Sequence, residues 1–213
     1  MRKSYSDPLF PKRCSWATNP LSIRYHDREW GVPVRDDRTF FEFLILEGAQ
    51  AGLSWDTILA KRENYRKAFA DFDPKKVARF NAAKRRSLMN DAGIVRNRLK
   101  IEATIDNARA LIALQKRMNL AAFLWGQIDG RPHINHHRSF KTVPAETPTS
   151  KAISKALKAE GFRFVGPTTI YAFMQATGMV NDHLVGCHRY EPCAALQRRL
   201  KMPAKGSGER TRA

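Results

Sequence analysis

The sequence FFEFLILEGAQAGLSW occupies residues 40–55 and predicts a helix that ends in a glycine-containing turn. Apolar residues recur in it at the three- and four-residue spacing of a helix face, namely Phe40, Phe41, Leu44 and Ile45. The pattern continues towards Leu53. The two glycines, Gly48 and Gly52, permit close backbone approach by another chain segment or by a ligand. Tight packing between helices is the alternative explanation for them.

Helical spacing extends over most of the chain, and sustained two-residue alternation is absent, so the sequence predicts an all-α fold. Further helices are predicted at residues 58–69, 98–117, 120–128, 150–160 and 168–177, with a short one opened by Pro74 and a loop at 130–149. Residues 14–193 are expected to form one helical domain. Basic flexible tails are expected at residues 1–13 and 194–213.

The charge of the chain points to nucleic acid as a partner. The 213 residues include 38 Lys and Arg against 20 Asp and Glu, a formal net charge of +18. An apolar content of 43% argues against wholesale disorder, and no apolar run approaches the roughly 18 residues of a membrane span. Three cysteines do not make a disulfide framework, and residues 1–13 lack the apolar segment of a secretory signal. We therefore expect a cytoplasmic protein without a membrane partner, and a monomer.

Two histidine–cysteine pairs lie at opposite ends of the body: Cys14 with His26, and His183 with Cys187. A helix would place His183 and Cys187, four residues apart, on one face. Thiolates and imidazoles are preferred zinc ligands, and two of each complete a closed, structural, tetrahedral shell. Such a site would clip the N-terminal segment to the C-terminal helix. The alternative is that these are ordinary buried thiols and hydrogen-bonded histidines, because such pairs also arise by chance.

The remaining histidines and the third cysteine carry weaker indications. His188 and Cys193 are close enough in sequence to serve as substitute ligands. His133, His136 and His137 lie in the predicted loop without nearby thiols, so we expect them at the surface.

One carboxylate, Glu47, ends the apolar run of the predicted helix and requires an explanation. A carboxylate in apolar surroundings costs several kcal/mol unless it is paired or protonated. It could accept hydrogen bonds from backbone amides or from an arginine at the helix end. It could instead accept hydrogen bonds from a cationic heteroaromatic ligand that is held between aromatic rings. The rings available for this are Trp16, Tyr25, Trp30 and Trp55.

Five motifs occur in one order along the chain: Cys14-Ser15-Trp16, residues 25–33 (YHDREWGVP), residues 46–55 (LEGAQAGLSW), residues 61–66 (KRENYR) and Val180-Asn181-Asp182-His183. Together they closely resemble the type I DNA-3-methyladenine glycosylases, a family of bacterial base-excision enzymes. The resemblance extends from Cys14 to Cys187, nearly the whole body.

The resemblance implies a substrate, a cofactor and a set of site residues. The substrate is double-stranded DNA that contains alkylated bases, and the reaction is hydrolysis of the bond between 3-methyladenine and its sugar. One structural Zn²⁺ is implied, with Cys14, His26, His183 and Cys187 as ligands. Glu47 is the implied catalytic residue. The implied base pocket consists of Trp16, Tyr25, Trp30 and Trp55.

The family also implies a helix-hairpin-helix architecture. Its counterpart here is the helix at 150–160, the turn at 161–167 and the helix at 168–177. Turn amides and a helix N-terminus in this motif point at one DNA phosphate. The small-residue turn after the first apolar helix could fill the gap left by a flipped base. The expected DNA contacts are Leu53, Arg163, Gly166 and Thr168.

Two features that the resemblance implies set the family apart from the wider superfamily, and one residue departs from the family itself. The position of the catalytic aspartate in the wider superfamily is Asn181 here, with Asp182 one residue away. No lysine lies in that motif, so a monofunctional hydrolase without strand cleavage is expected. Ser22 stands where the family commonly has a second tyrosine, which puts one pocket contact in doubt. Two other classes remain: a helical module that binds damaged DNA without cutting it, and an RNA-associated structural protein.

Overall fold

Residues 12–201 are described by the structure, a computed structural model. This part of the chain contains ten α-helices: α1 (Pro20–Arg28), α2 (Asp37–Gln50), α3 (Trp55–Ala68), α4 (Pro74–Val77), α5 (Ala82–Asn90), α6 (Arg98–Gln115), α7 (Leu120–Gly126), α8 (Pro148–Ala159), α9 (Pro167–Ala176) and α10 (Tyr190–Arg198). Two-residue strands, β1 (His133–Ile134) and β2 (Val180–Asn181), pair in parallel. Short 3₁₀ turns occupy Ala70–Phe72 and Phe140–Thr142. The all-α prediction is confirmed. Within residues 12–201, no helix has the length and apolar character needed to cross a membrane.

Helix α2 lies at the centre of the core because it is buried on all sides, from Phe40 through Ala49. It packs against α3, α6, α7 and α9. Asp36 caps its first turn by accepting a hydrogen bond from the Thr39 amide at 2.8 Å. The helix ends at Gln50, so Leu53 lies in the turn beyond it rather than on the predicted helix face.

The two glycines near the end of α2 have different roles. A Cβ added at Gly48 would lie 3.3 Å from the Phe164 Cβ, so this glycine serves tight packing against the α8–α9 connection. Gly52 has a φ of +80° and nothing within 4 Å of an added Cβ. Its role is therefore conformational, because few other residues adopt that φ without strain.

Helices α8 and α9 pack against each other as a helical hairpin joined by residues 160–166. The Ser154 hydroxyl donates to the Val165 carbonyl at 2.6 Å. The Asn107 side chain on α6 accepts from the Arg163 amide at 2.7 Å and donates to the Arg163 carbonyl at 3.0 Å. The two predicted helices and their turn are thus present, and α6 holds the turn in place.

The predicted tail at 194–213 was wrong at its start, because α10 continues to Arg198. Ala194 and Gln197 are buried, and the Gln197 amide donates to the carbonyls of Gly31 and Gly178 at 3.2 and 3.1 Å. At the other end, Arg13 was assigned to a flexible tail but forms an ion pair with Asp27 at 2.8 Å. The other parts of the two predicted tails, residues 1–11 and 202–213, lie outside the described residues.

His183 and Cys187 were expected to lie on a helix, but they do not. They belong to the turns between β2 and α10. The strand pair was not expected either, and it aligns His133 with Val180 and Ile134 with Asn181. This pairing anchors the predicted loop at 130–149 next to the segment that carries His183. Helices α1, α5 and α10 were also missed.

Candidate active site and metal centre

A cleft of about 520 Å³ opens between α1, α2, α3, α9 and the segment 140–145. Glu47 and all four predicted pocket residues line it, together with Thr168 from the α9 N-terminus. The complete lining is Trp16, Tyr25, Trp30, Glu47, Gln50, Ser54, Trp55, Asp56, Phe140, Val143, Pro144, Ala145, Thr168, Tyr171, Ala172 and Gln175. The structure thus brings together residues that are up to 159 positions apart, since Trp16 and Gln175 line the same cleft.

The aromatic side chains form two walls of this cleft. Trp16 and Trp30 meet edge to face, with ring centroids 5.1 Å apart. Tyr25 and Trp55 are tilted by 53° at 5.4 Å. The Trp55 indole nitrogen is buried and has no hydrogen-bond partner within residues 12–201. Aromatic rings in this arrangement can stack on a planar ligand that enters the cleft.

Glu47 is buried in this cleft with 5% of its surface exposed. Among residues 12–201, no hydrogen bond or ion pair reaches its carboxylate, so the helix-end role considered for it is wrong. Burial raises the pKa of Glu47 to about 8. A lone carboxylate in apolar surroundings is costly, and here it faces a cavity that a ligand could enter.

The other buried carboxylate of α2 is fully paired. Glu42 accepts from Arg62 Nε at 2.6 Å and from Arg66 Nε at 2.9 Å. Arg62 also forms an ion pair with Glu29 at 2.6 Å. The fold therefore supplies arginines to one carboxylate of this helix and leaves the other, one turn from the helix end, without a partner.

The raised pKa of Glu47 predicts how stability depends on pH. The carboxyl binds a proton more tightly in the folded state, with a pKa of about 8 against a usual 4.5. Its favourable contribution is complete below about pH 4.5 and is lost as the pH rises through 8. We expect E47Q and wild type to unfold with similar free energies at about pH 4, where the Glu47 carboxyl is largely protonated in the folded and the unfolded state. At pH 9 we expect E47Q to be more stable by several kcal/mol, since one pKa unit corresponds to about 1.4 kcal/mol. Urea unfolding at the two pH values measures this, and an equal difference at both would contradict it.

Cys14, His26, His183 and Cys187 form one buried cluster, with their ligand atoms within 4.8 Å of one another. The Sγ atoms of Cys14 and Cys187 lie 3.7 and 3.6 Å from His183 Nδ1, and Cys187 Sγ lies 3.4 Å from His26 Nε2. With metal–sulfur bonds of about 2.3 Å and metal–nitrogen bonds of about 2.0 Å, the S···N edge of a tetrahedron is about 3.5 Å. The cluster therefore fits a four-coordinate metal ion.

Neighbouring groups orient both imidazoles for this role. His26 Nδ1 lies 2.8 Å from the Asp27 carboxylate, which leaves Nε2 for the cluster. His183 Nε2 lies 3.0 Å from the Trp30 carbonyl oxygen, which leaves Nδ1. Carboxylate and carbonyl partners of this kind fix the tautomer of a metal-binding histidine. Hydrogen bonds from Cys14 and from both imidazoles, opposed by burial, lower the pKa of Cys187, which favours the thiolate that a metal requires.

The metal cluster lies directly behind the aromatic wall of the cleft. The His183 ring meets Trp30 edge to face at 4.5 Å, and the His26 ring meets Trp16 at 5.2 Å. Of the two proposed substitute ligands, Cys193 Sγ approaches the Trp30 carbonyl at 3.8 Å and His188 the Lys12 carbonyl at 3.1 Å, and neither belongs to the cluster.

Sequence reasoning missed the wall formed by α9. Tyr171 and Gln175 line the cleft four residues apart on one helix face, and both donate hydrogen bonds to the buried Asp182. Asn181 donates to the Tyr190 carbonyl and accepts from the His183 amide, so it holds the turn that carries His183. The i, i+4 spacing of a tyrosine and a glutamine, followed by a carboxylate, was the available signal.

Ser22 does not line the cleft. It is buried, and its hydroxyl accepts from the amides of Thr18 and Asn19 at 3.2 Å, within the capping box of α1. The loop histidines divide: His133 and His136 are exposed as expected, whereas His137 is largely buried beside Asp182.

Of the four predicted DNA contacts, Thr168 lines the cleft and the other three lie outside its lining. Leu53 is 42% exposed in the turn between α2 and α3. Gly166 caps α9 without a side-chain hydrogen bond, and Thr168 is exposed at the cleft mouth. Arg163 forms an ion pair with Asp106 at 2.7 Å, so its charge is partly neutralised within the protein.

Comparison with known proteins agrees with this architecture. The methyladenine glycosylase family model matches residues 16–190. The chain is 49% identical to DNA-3-methyladenine glycosylase 1 of Escherichia coli (strain K12) over 181 residues, which is 84% of this chain and 97% of the relative. A crystal structure of 3-methyladenine DNA glycosylase I superposes with a TM-score of 0.82 at 50% identity, over 83% of this chain and 98% of the other. A structure that concerns 3-methyladenine recognition by the Staphylococcus aureus enzyme superposes with 0.81 at 37%, over 84% and 96%. The chain belongs to the methyladenine glycosylase family.

Proposed function

We propose that this protein is a monofunctional DNA glycosylase that releases 3-methyladenine from alkylated double-stranded DNA, the first step of base-excision repair. The observation that carries the proposal is the unpartnered, buried Glu47 in an aromatic-walled cleft. The relatives named DNA-3-methyladenine glycosylase support it. We expect it to act as a monomer on the DNA of the cytoplasm.

The target base must leave the DNA duplex before it can enter the cleft. A base within a duplex is inaccessible, so the nucleotide must flip out at a cost of roughly a few kcal/mol. Methylation at N3 gives adenine a positive charge in the nucleotide, which already weakens its bond to the sugar. The leaving base then needs little protonation, and a strong general acid is unnecessary. Discrimination against adenine follows from its neutral charge and its stable glycosidic bond.

Glu47 is the catalytic residue in this proposal. Its carboxylate would accept a hydrogen bond from the amino edge of the base and offset the positive charge. The entering cation lowers the raised pKa of Glu47 again, so the carboxylate forms as the base binds. Trp16 and Trp55 would stack on the base, and Tyr25 and Trp30 would close the remaining aromatic wall.

The cleft favours hydrolysis without strand cleavage. Within residues 12–201 its lining includes no lysine, so no amine is placed to form a Schiff base with the sugar. Asp182, the carboxylate nearest in sequence to the superfamily's catalytic aspartate, is buried and occupied by hydrogen bonds. Water would therefore attack the sugar without activation by that aspartate.

The α8–α9 hairpin would anchor the DNA as a helix-hairpin-helix motif. The N-terminus of α9 has no side-chain cap, so its amides, including that of Thr168, are available to a phosphate. Gly166 leaves open space for such an approach, since an added Cβ has nothing within 4 Å. Arg163 would contact the backbone in exchange for its ion pair with Asp106.

Leu53 is expected to fill the gap that the flipped nucleotide leaves. We expect L53A to slow excision from duplex DNA about tenfold and to change excision from single-stranded DNA by less than twofold, because a single strand has no stack to hold open. Leu99 is a matched control, an exposed leucine on α6 with 51% of its surface accessible. Single-turnover rates on the two substrates measure the effect. Equal losses in L53A and L99A would exclude the wedge.

We propose Zn²⁺ as the metal of the Cys14, His26, His183 and Cys187 cluster. Two thiolates and two imidazoles at tetrahedral spacing are its preferred ligands, and a closed shell leaves no position for water. The ion would supply a structural cross-link between residues 14–26 and 183–187. We expect one zinc per chain by elemental analysis of native protein. Its absence from carefully prepared protein would exclude the proposal.

The decisive experiment is base release. Purified protein is incubated with methylated duplex DNA, and the released bases are separated by chromatography. Release of 3-methyladenine confirms the proposed activity. Binding to methylated DNA without release would instead favour the non-catalytic binding module.

A further inference from the structure

Asp182 is a buried carboxylate whose oxygens are occupied by donors from two parts of the fold, the segment that follows β1 and helix α9. It is 1% exposed. One oxygen accepts from Asn135 Nδ2 at 2.7 Å, with His137 Nε2 at 3.5 Å. The other accepts from the Tyr171 hydroxyl and from Gln175 Nε2, each at 2.7 Å. A carboxylate oxygen that is already occupied in this way has no free position for water or substrate.

These contacts fix the orientation of the Gln175 amide. Because an ionised carboxylate only accepts hydrogen bonds, the amide nitrogen of Gln175 must face Asp182. The amide oxygen of Gln175 then points away from Asp182 and has no partner within residues 12–201. Gln175 is half-buried and lines the cleft, and its amide oxygen is not fully buried.

We propose that Gln175 is a specificity-determining residue that presents a fixed acceptor oxygen to a cationic base, and that Asp182 is the positioning residue that keeps it so. This inference rests on the proposed function and adds a charge-selecting group to it. An amide oxygen that is held in one orientation binds a cation more strongly than it binds a neutral base. Selectivity for the methylated base would thus come from the cleft as well as from the weakened bond.

Gln50 serves as the control residue for Gln175. It lines the same cleft and is also half-buried, but no side-chain hydrogen bond within residues 12–201 fixes its amide. Its amide can turn to offer either its oxygen or its nitrogen. The two glutamines therefore differ in the contact with Asp182, which is the feature under test.

The test compares a permanently cationic ligand with a neutral one at a single pH. The cation is 3,9-dimethyladeninium, in which a methyl group replaces the sugar, and the neutral ligand is 9-methyladenine. Quenching of the tryptophan fluorescence of the cleft gives both dissociation constants. We expect wild type to prefer the cation and Q175M to lose about tenfold in affinity for the cation with less than twofold change for the neutral ligand. Q50M should change the ratio of the two constants by less than twofold.

Equal losses for the two ligands in Q175M, or an equal change of the ratio in Q50M, would overturn the proposal. D182N supplies a second variant, because an asparagine can donate and so allows the Gln175 amide to turn over. We expect D182N to lower the cation preference as Q175M does, with its metal content checked because His183 follows. An unchanged ratio in metal-loaded D182N would exclude Asp182 as the positioning residue.

Base release by wild type separates this proposal from the proposed function. If wild type releases no 3-methyladenine from DNA, the glycosylase assignment fails, while the ligand ratios still report whether the cleft selects charge. If wild type is active and Q175M shows no selective loss, the glycosylase assignment stands and the role of Gln175 fails.

Discussion

Replacing Glu47 with glutamine is expected to lower the single-turnover rate of 3-methyladenine excision about 100-fold. The carboxyl group is buried and has no partner in residues 12–201, so it can ionise as the cationic base binds and offset the charge of the base. A hydrogen bond to a charged group contributes about 1.5–3 kcal/mol, and each 1.4 kcal/mol corresponds to a factor of ten in rate. Glutamine keeps the shape and an acceptor oxygen but loses the charge. Affinity for the unmodified duplex should stay within twofold, because Glu47 lies inside the cleft.

E42Q is the matched control for this substitution. Glu42 lies on the same helix and is also buried, but Arg62 and Arg66 pair with it. E42Q removes the buried charge but leaves Arg62 its ion pair with Glu29 and Arg66 its ion pair with Glu63, so we expect it to lower the free energy of unfolding by roughly 1–3 kcal/mol. Its excision rate per folded molecule should remain close to that of wild type. Equal excision by E47Q and wild type would remove Glu47 from the mechanism.

Hydrophobic spacing predicted the helices whose buried faces are apolar. Helix α2 and the long helix α6 were found because Phe, Leu and Ile occupy their buried positions. The hairpin of α8 and α9 followed from the same signal and from the glycines of its turn. In each case the local pattern and the tertiary environment require the same residues, so the sequence alone was sufficient.

Helices α1 and α10 were missed because their buried faces consist of functional or weakly apolar residues. The buried side of α1 is Ser22, Tyr25 and His26, which contribute a cap, a cleft wall and a member of the cluster that could hold a metal ion. The buried side of α10 has regular helical spacing, with Tyr190, Cys193, Ala194 and Gln197. Gln197 is buried because it donates to two carbonyls that are distant in sequence, and no local sequence pattern indicates these contacts.

The candidate site could likewise be predicted only in part from the sequence. The residues of the cleft and the metal cluster could be named from motifs, but their relation could not. Motif spacing gives no indication that the imidazoles pack behind Trp16 and Trp30, or that Asp182 fixes Gln175. Both depend on the turn after β2, which the sequence suggested as a helix. Its course is set by the β1–β2 pairing and by the hydrogen bonds of Asn181.

Loss of a metal ligand is expected to have the second large effect. We expect C14A and C187A to lose the bound metal and to lower the free energy of unfolding by at least about 4 kcal/mol, because metal binding to a preformed site adds directly to folding free energy. For a chain of this size that corresponds to a fall of roughly 10 °C in melting temperature. C193A is the control, since Cys193 is fully buried and lies outside the cluster. It should keep its metal and lose only the packing of one small side chain.

The metal variants should also damage the cleft, which distinguishes a structural link from simple destabilisation. His26 and His183 support Trp16 and Trp30 from behind, and the cross-link holds the segment from Cys14 to His26 in place. Below the lowered melting temperature, C14A should therefore bind free 3-methyladenine at least fivefold more weakly than C193A does. Elemental analysis, thermal unfolding and tryptophan quenching on the three variants measure these effects. If C14A retains full affinity for the base after losing its metal, the aromatic wall does not depend on the cluster, and the metal serves stability alone.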